Sequence, residues 1–183
     1  MLILFSGVSG SGKNTIINEI LKRNKDYKML SRSSGTTREI RESDKDYNAY
    51  VYMNEEEFKT GIEEGKFFEY EVVHGNYYGL LREALERVEN SQDTFLRDID
   101  VQGNIKLRNY FEGKKKVVSI FLDAPNEELV KRLKERGESD ERIKVRLSRS
   151  AHEREYKDNY DLVIENIDIE KTVSSICEFL SKQ

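Results

Sequence analysis

The sequence is poor in the residues that build covalent or metal-held scaffolds, with one cysteine and two histidines in 183 residues. A lone thiol, Cys177, excludes an internal disulfide and suits a reducing compartment. It falls in an amphipathic C-terminal pattern, where a buried structural thiol is expected. His74 and His152 make no ligand cluster, so a dedicated zinc site is not expected. No apolar run is long enough to cross a bilayer, and "MLILFSG" at the start is too short and uncharged for a signal peptide. Basic residues are not in excess: 31 Lys and Arg stand against 35 Asp and Glu, a net charge of -4. That weighs against nucleic acid or an anionic membrane as the main partner. No internal repeat, low-complexity tract or interdomain linker is visible. With 37% hydrophobic and 36% charged residues, the chain reads as one compact, heavily charged globular domain, expected in the cytoplasm.

Apolar runs and helical periodicity alternate along most of the chain. "LILF" (2–5), "DTFLRDID" (93–100), "VVSIFLDA" (117–124) and "YDLVIEN" (160–166) read as buried strands. "TIINEILKR" places Ile16, Ile17, Ile20 and Leu21 on one helical face. "APNEELVKRLKERG" predicts a helix with Asn126 as N-cap and Gly137 as its stop. Further helices are expected from Ser139 and from Asp168, the last turning Val173, Ile176, Phe179 and Leu180 inward. Strand alternating with helix predicts an α/β fold, a parallel sheet covered on both faces. From about Ser31 to Tyr78 the alternation stops. Tyrosines, hydroxyls and short β-like runs there predict an inserted β-rich lobe, its tyrosines packing a small sheet.

"SGVSGSGKNT" (6–15) carries the first chemistry. Gly7 and Gly12 bracket four residues, and Lys13 follows. Glycines let the backbone curl so that several N–H groups face one phosphate. Lys13 adds a positive charge and the following helix its dipole. The preceding strand and following amphipathic helix are the context such a loop requires. After Lys13 a hydroxyl that ligates magnesium is expected, and the chain has Asn14. Its carbonyl is a hard oxygen donor set one bond farther out. Thr15 points elsewhere on the helix. Either the metal site is weakened, or magnesium is held mainly by nucleotide oxygens and waters; the second is preferred.

"SSGTTREIR" carries Arg38 and Arg41 three residues apart, able to converge on one phosphate if the segment is turn-like or helical. "FFEYEVVHGNYYG" sets Glu69 in an apolar run and two tyrosines between glycines. With "DIDVQG", "RLKERG" and "YDLVIEN", these blocks resemble the guanylate kinase family, the ATP-dependent GMP kinases, over essentially the whole length.

The resemblance implies a three-layer P-loop core (about 1–31, 84–131, 149–183), a GMP-binding lobe (about 32–83) and a helical lid (about 132–148). It implies that Gly7, Ser9, Gly10, Ser11, Gly12, Lys13, Asn14, Thr15 and Asn166 bind ATP. Arg38, Arg41, Tyr50 and Tyr78 would hold the GMP phosphate. Tyr47 competes with Tyr50, which is preferred for its ungapped spacing between Arg41 and Phe58. Ser34, Glu69 and Asp100 would read the guanine. Lys13, Arg38, Arg132, Arg136 and Arg146 would stabilise the transferring phosphoryl group, and Asn14 and Asp98 would face Mg²⁺ through nucleotide and waters. ATP and GMP are the expected partners, and a monomer or homodimer the expected assembly. Non-catalytic binding on the same fold, or a kinase for another phosphorylated small molecule, are the alternatives.

The chain departs from the family pattern beyond Asn14. Leu80 stands where a hydroxyl would help hold guanine O6, a contact worth roughly 0.5–1.5 kcal/mol. Arg97 replaces an aliphatic strand residue and is read as partly exposed, with an extra phosphate contact as the lesser option. "EIR" lacks a proline, and the stretch after "RGE" is about one residue short, which leaves the lid arginines' separate roles open.

Overall fold

The computed structural model describes residues 1–40, 50–73 and 75–183. Its Cα packing divides into two units, residues 1–27 with 96–183, and residues 28–95. Seven α-helices are present among the described residues.

A five-stranded sheet, most of it in the first unit, joins β1 (Leu2–Gly7), β2 (Tyr27–Met29), β7 (Thr94–Asp98), β8 (Val117–Asp123) and β9 (Leu162–Glu165), in the order β2-β7-β1-β8-β9. β1 pairs in parallel with β8, and β8 with β9. All six residues of β1 are buried, which explains why it reads as an unbroken apolar run. β1 has β7 on one side and β8 on the other, so the chain leaving it meets the place where a parallel sheet reverses its order. Crevices at the carboxyl ends of strands beside such a point bind ligands.

The helices of this unit are α1 (Lys13–Arg23), α4 (Val101–Phe111), α5 (Asn126–Glu135), α6 (Asp140–Arg154) and α7 (Ile169–Ser181). Ile16, Ile17 and Ile20 are buried on α1, and Val173, Ile176 and Leu180 on α7, while Leu21 and Phe179 are only half-buried. Cys177 is half-buried too, rather than fully enclosed, and receives a contact from Asn24 Nδ2 at 3.6 Å. Ser139 and Asp168 cap α6 and α7 with side-chain oxygens, as expected. Pro125, not Asn126, is the N-cap of α5; Asn126 is its first helical residue, and its side-chain oxygen instead accepts from Arg154 Nη1 at 2.8 Å. Gly137 ends the run with φ 78°, and the next N–H returns to Leu133 O at 3.1 Å. Arg97 is 8% exposed, so the reading of a partly exposed arginine is wrong.

The second unit carries a four-stranded sheet of β3 (Ser34–Thr36), β4 (Tyr50–Tyr52), β5 (Phe67–Val73) and β6 (Asn76–Leu81), in the order β4-β3-β6-β5. β3 runs parallel to β4 and antiparallel to β6, which is antiparallel to β5. Helices α2 (Glu55–Glu63) and α3 (Arg82–Asn90) complete it. The β-rich reading omitted α2, whose signature is a capping box: Asn54 Oδ1 accepts from Glu57 N, and Glu57 Oε2 from Asn54 N. Phe58 of α2 stacks on Phe67 at 4.2 Å between ring centroids. Gly35 and Gly79 make room for that stack: a Cβ at Gly79 would lie 2.5 Å from the Phe67 ring.

Candidate active site

The turn from β1 into α1 is an open cradle of backbone donors. Gly7, Gly10 and Gly12 have φ of 139°, 91° and 88°, a region that disfavours side chains. Gly7 is the most constrained, because a Cβ there would lie 1.9 Å from Leu122 O. Gly12 is the N-cap of α1 and offers no side chain, and the first turn holds no acidic residue. The helix dipole and first-turn amides are therefore left for an external anion. Lys13 Nζ lies across the loop and donates to Gly7 O at 2.7 Å.

Three side chains brace the loop from behind. Asn166 is 1% exposed, and its Nδ2 donates to Ser11 O at 2.7 Å. Its Oδ1 is buried and makes no hydrogen bond among the described residues. Arg132 on α5 donates to Asn166 O at 2.8 Å and reaches Gly10 O and Ser11 O at 3.5 and 3.4 Å. Arg146 on α6 donates to Ser9 Oγ at 2.6 Å and pairs with Glu138 at 2.7 Å. Arg136 lies apart from these, exposed at the C-cap of α5.

Two carboxylates, Asp98 and Glu153, feel the positive charge of Lys13. Asp98 ends β7, and Asp100 is the N-cap of α4, where its Oδ1 accepts from Gly103 N at 2.8 Å. Asp98 is open to solvent yet deeply surrounded by protein, as in an open recess. That surrounding raises its pKa by desolvation; Lys13 and Arg97 oppose the rise and Asp100 adds to it. Because water still reaches the group, the full penalty of a dry interior does not apply. Glu153, which the sequence reading missed, lies near the loop, and burial pushes its pKa up against the pull of Lys13. In "HERE" it looks like one more charge on a solvated helix, and no sequence signal marks it. Tyr160 is pushed up to about 12, first by burial, with the negative charges of Asp100 and Glu153 adding to the rise.

In the second unit, strand register assembles the base-reading candidates. Ser34 of β3 lies opposite Leu80 of β6, which lies opposite Glu69 of β5. Residues directly opposed across strands share a face, so the three form one row. Thr36 and Tyr78 form the next pair along, and Tyr50 stands opposite Ser34 on β4. Gly35, Gly79 and Phe67 take the other face, beneath Phe58. One face is thus spent on packing α2 and the other carries the polar candidates. Arg38 lies over the Tyr50 ring at 5.3 Å, and Tyr50 meets Tyr78 edge-on at 6.4 Å. Leu80 is only 4% exposed, an apolar floor between Ser34 and Glu69. Arg41 and Tyr47 lie outside the described residues.

A phosphate cradle and a polar sheet face with arginine and tyrosines are what transfer between two nucleotides requires. The family model described as guanylate kinase matches residues 1–183. A guanylate kinase of Caldanaerobacter subterraneus is 39% identical over 180 residues, spanning 96% of this chain and 84% of that protein. One from Chlorobium chlorochromatii is 38% identical over 178 residues, 96% of this chain and 91% of its own. The crystal structure of guanylate kinase from Anaplasma phagocytophilum superposes with a TM-score of 0.71 at 30% identity, covering all of this chain and 85% of that one.

Proposed function

Because this chain belongs to the guanylate kinase family, we propose that it transfers the terminal phosphoryl group of ATP to the 5′-phosphate of GMP, and likewise of dGMP. The observation that carries the guanine reading is the row Ser34–Leu80–Glu69 on the face of the small sheet turned away from the Phe58–Phe67 stack. Guanine offers N1–H and a 2-amino group side by side, and the Glu69 carboxylate can accept from both. Adenine offers an acceptor at N1 and no 2-amino group, so it leaves that carboxylate unpaired. Ser34 and Asp100 supply further polar contacts to the base. Arg38, Tyr50 and Tyr78, with Arg41, hold the acceptor phosphate.

ATP lies with its phosphates on the loop from Gly7 to Thr15. The loop amides and Lys13 take the β- and γ-phosphates, and the buried Asn166 Oδ1 is left to accept from the adenine side. Arg132, Arg136 and Arg146, in or beside a lid of about 132–148, add charge to the transferring group as water is expelled. In the structure Arg132 and Arg146 already touch the loop. We assign the base and acceptor contacts to a GMP-binding lobe of about 32–83, and the protein to the cytoplasm as a monomer or homodimer.

The donor set at the loop suits Mg²⁺: Asn14 is exposed in the first turn of α1 and Asp98 holds a carboxyl near Lys13, both hard oxygen groups. When bound with ATP, the ion offsets charge on the β- and γ-phosphates. Asn14→Ser, which restores a short hydroxyl, should lower the magnesium concentration for half-maximal activity about five- to tenfold, near 1 kcal/mol. GMP affinity should stay as it was. An unchanged magnesium titration would mean that nucleotide oxygens and waters already hold the ion.

A coupled ADP-release assay with GMP, dGMP, AMP, CMP and UMP tests the activity. GMP and dGMP should turn over, and the other three barely. No turnover with any acceptor would overturn the enzyme reading in favour of a binding module.

A further inference from the structure

We propose that Glu138 is a positioning residue for phosphoryl transfer, holding the Arg146 guanidinium so that its fork faces the phosphate loop before nucleotide binds. The inference rests on the reading of Arg146 as an arginine that adds charge to the transferring group.

Glu138 lies in the short link between α5 and α6, in the acidic run "ESDE" (138–141). Such a run reads as solvated charge, and its surroundings obey that: every other residue from 134 to 142 is exposed. Glu138 turns inward instead. Its side chain is 17% exposed, and its Oε2 is buried. Burying a carboxylate costs free energy unless a partner compensates. That partner is Arg146, eight residues on, whose Nη2 donates to Glu138 Oε1 at 2.7 Å. Nη1 of the same guanidinium donates to Ser9 Oγ at 2.6 Å. One planar group therefore bridges link and loop, and with both Nη atoms engaged its orientation is fixed.

The Glu138 backbone is anchored as well. Its N–H donates to Leu133 O at 3.1 Å, closing the turn at Gly137. Leu133 is 1% exposed, and a Cβ at Gly10 would lie 3.5 Å from its side chain, so Leu133 lies against the loop. The circuit Gly10–Leu133–Glu138–Arg146–Ser9 begins and ends on the loop that receives the phosphates.

The two acceptors of Arg146 differ in kind. Ser9 Oγ is a neutral hydroxyl, and an anionic phosphate oxygen is the stronger acceptor. Nη1 can pass from Ser9 to a phosphate oxygen while Nη2 stays on Glu138, so the cation is aimed before the reaction begins. A carboxylate beside the arginine also offsets part of its positive field. The benefit of Glu138 is therefore aim, and its removal separates the two effects: lost aim lowers kcat, and recovered field raises it.

The test is steady-state kinetics of the full chain, Glu138→Ala, Glu138→Gln, Arg146→Ala and the Glu138→Ala/Arg146→Ala double variant. Glu138→Ala should lower kcat about tenfold and leave KM for GMP within about twofold. Glu138→Gln keeps an acceptor for Nη2 and should stay within about threefold of wild type. With Arg146 already removed, Glu138→Ala should change kcat less than about twofold, because the two residues act as one unit. An unchanged or raised kcat in Glu138→Ala, a glutamine variant as slow as alanine, or the same loss in both backgrounds overturns the proposal. Wild-type protein without GMP turnover would instead overturn the kinase reading. In that case, or if Glu138→Ala fails to fold, nuclear magnetic resonance of the nucleotide-free wild type decides. The Arg146 Nη groups should rotate slowly about their bonds to Cζ, and rotation as fast as in free arginine overturns the proposal.

Discussion

Lys13→Ala lowers kcat/KM for the GMP reaction by about 10³-fold, near 4 kcal/mol at 298 K, while the melting temperature stays within a few degrees of wild type. The side chain is half-buried and packs no core, so its removal should leave the fold standing. Two losses combine at the loop. The ammonium that stabilises charge between the phosphates disappears, and so does the 2.7 Å bond from Nζ to Gly7 O that ties the curl together. Lys13→Arg should rescue little, because a planar fork does not replace a compact ammonium inside a tight curl. Steady-state kinetics with both substrates varied is the measurement. Activity retained within tenfold of wild type would remove Lys13 from the transfer step.

Glu69→Gln reduces kcat/KM for GMP by about 10²–10³-fold and narrows the preference for GMP over AMP by a similar factor. The glutamine has one acceptor oxygen in place of two and turns an amide N–H₂ toward guanine's own donors. The loss therefore includes repulsion between donors as well as a missing bond. ATP affinity should not change. The Glu69 register opposite Leu80, which in turn faces Ser34, explains why no neighbour should take over the two donors: the residue between is an apolar leucine. A variant that still separates GMP from AMP as wild type does would move guanine recognition to Ser34 or Asp100.

Much of the core was legible in the residues. β1 and β8 are apolar runs because a parallel strand has both faces covered, and both strands lie where the pattern put them. Ser139 and Asp168 start helices for a local reason, an oxygen that takes an N–H three residues on. The loop glycines were readable as well, because the left-handed backbone that they adopt is a property of single residues. The errors also have local causes. Asn126 resembles a cap but is drawn into the Arg154 network from another helix. Arg97 looks too charged to bury, yet the strand places it inside.

The sequence by itself determined the α/β alternation, the phosphate loop and the family, because periodicity, capping and glycine spacing act over a few residues and are written contiguously. Only the tertiary structure decided which face of the small sheet carries Ser34, Leu80 and Glu69, since strand register sets that, with Phe58 and Phe67 stacked on the other side. It also decided that Asn166, Arg132 and Arg146 all reach the loop from more than a hundred residues away. Each of those contacts is made by a side chain whose partner is a backbone group or hydroxyl, and such partners leave no mark in a one-dimensional pattern.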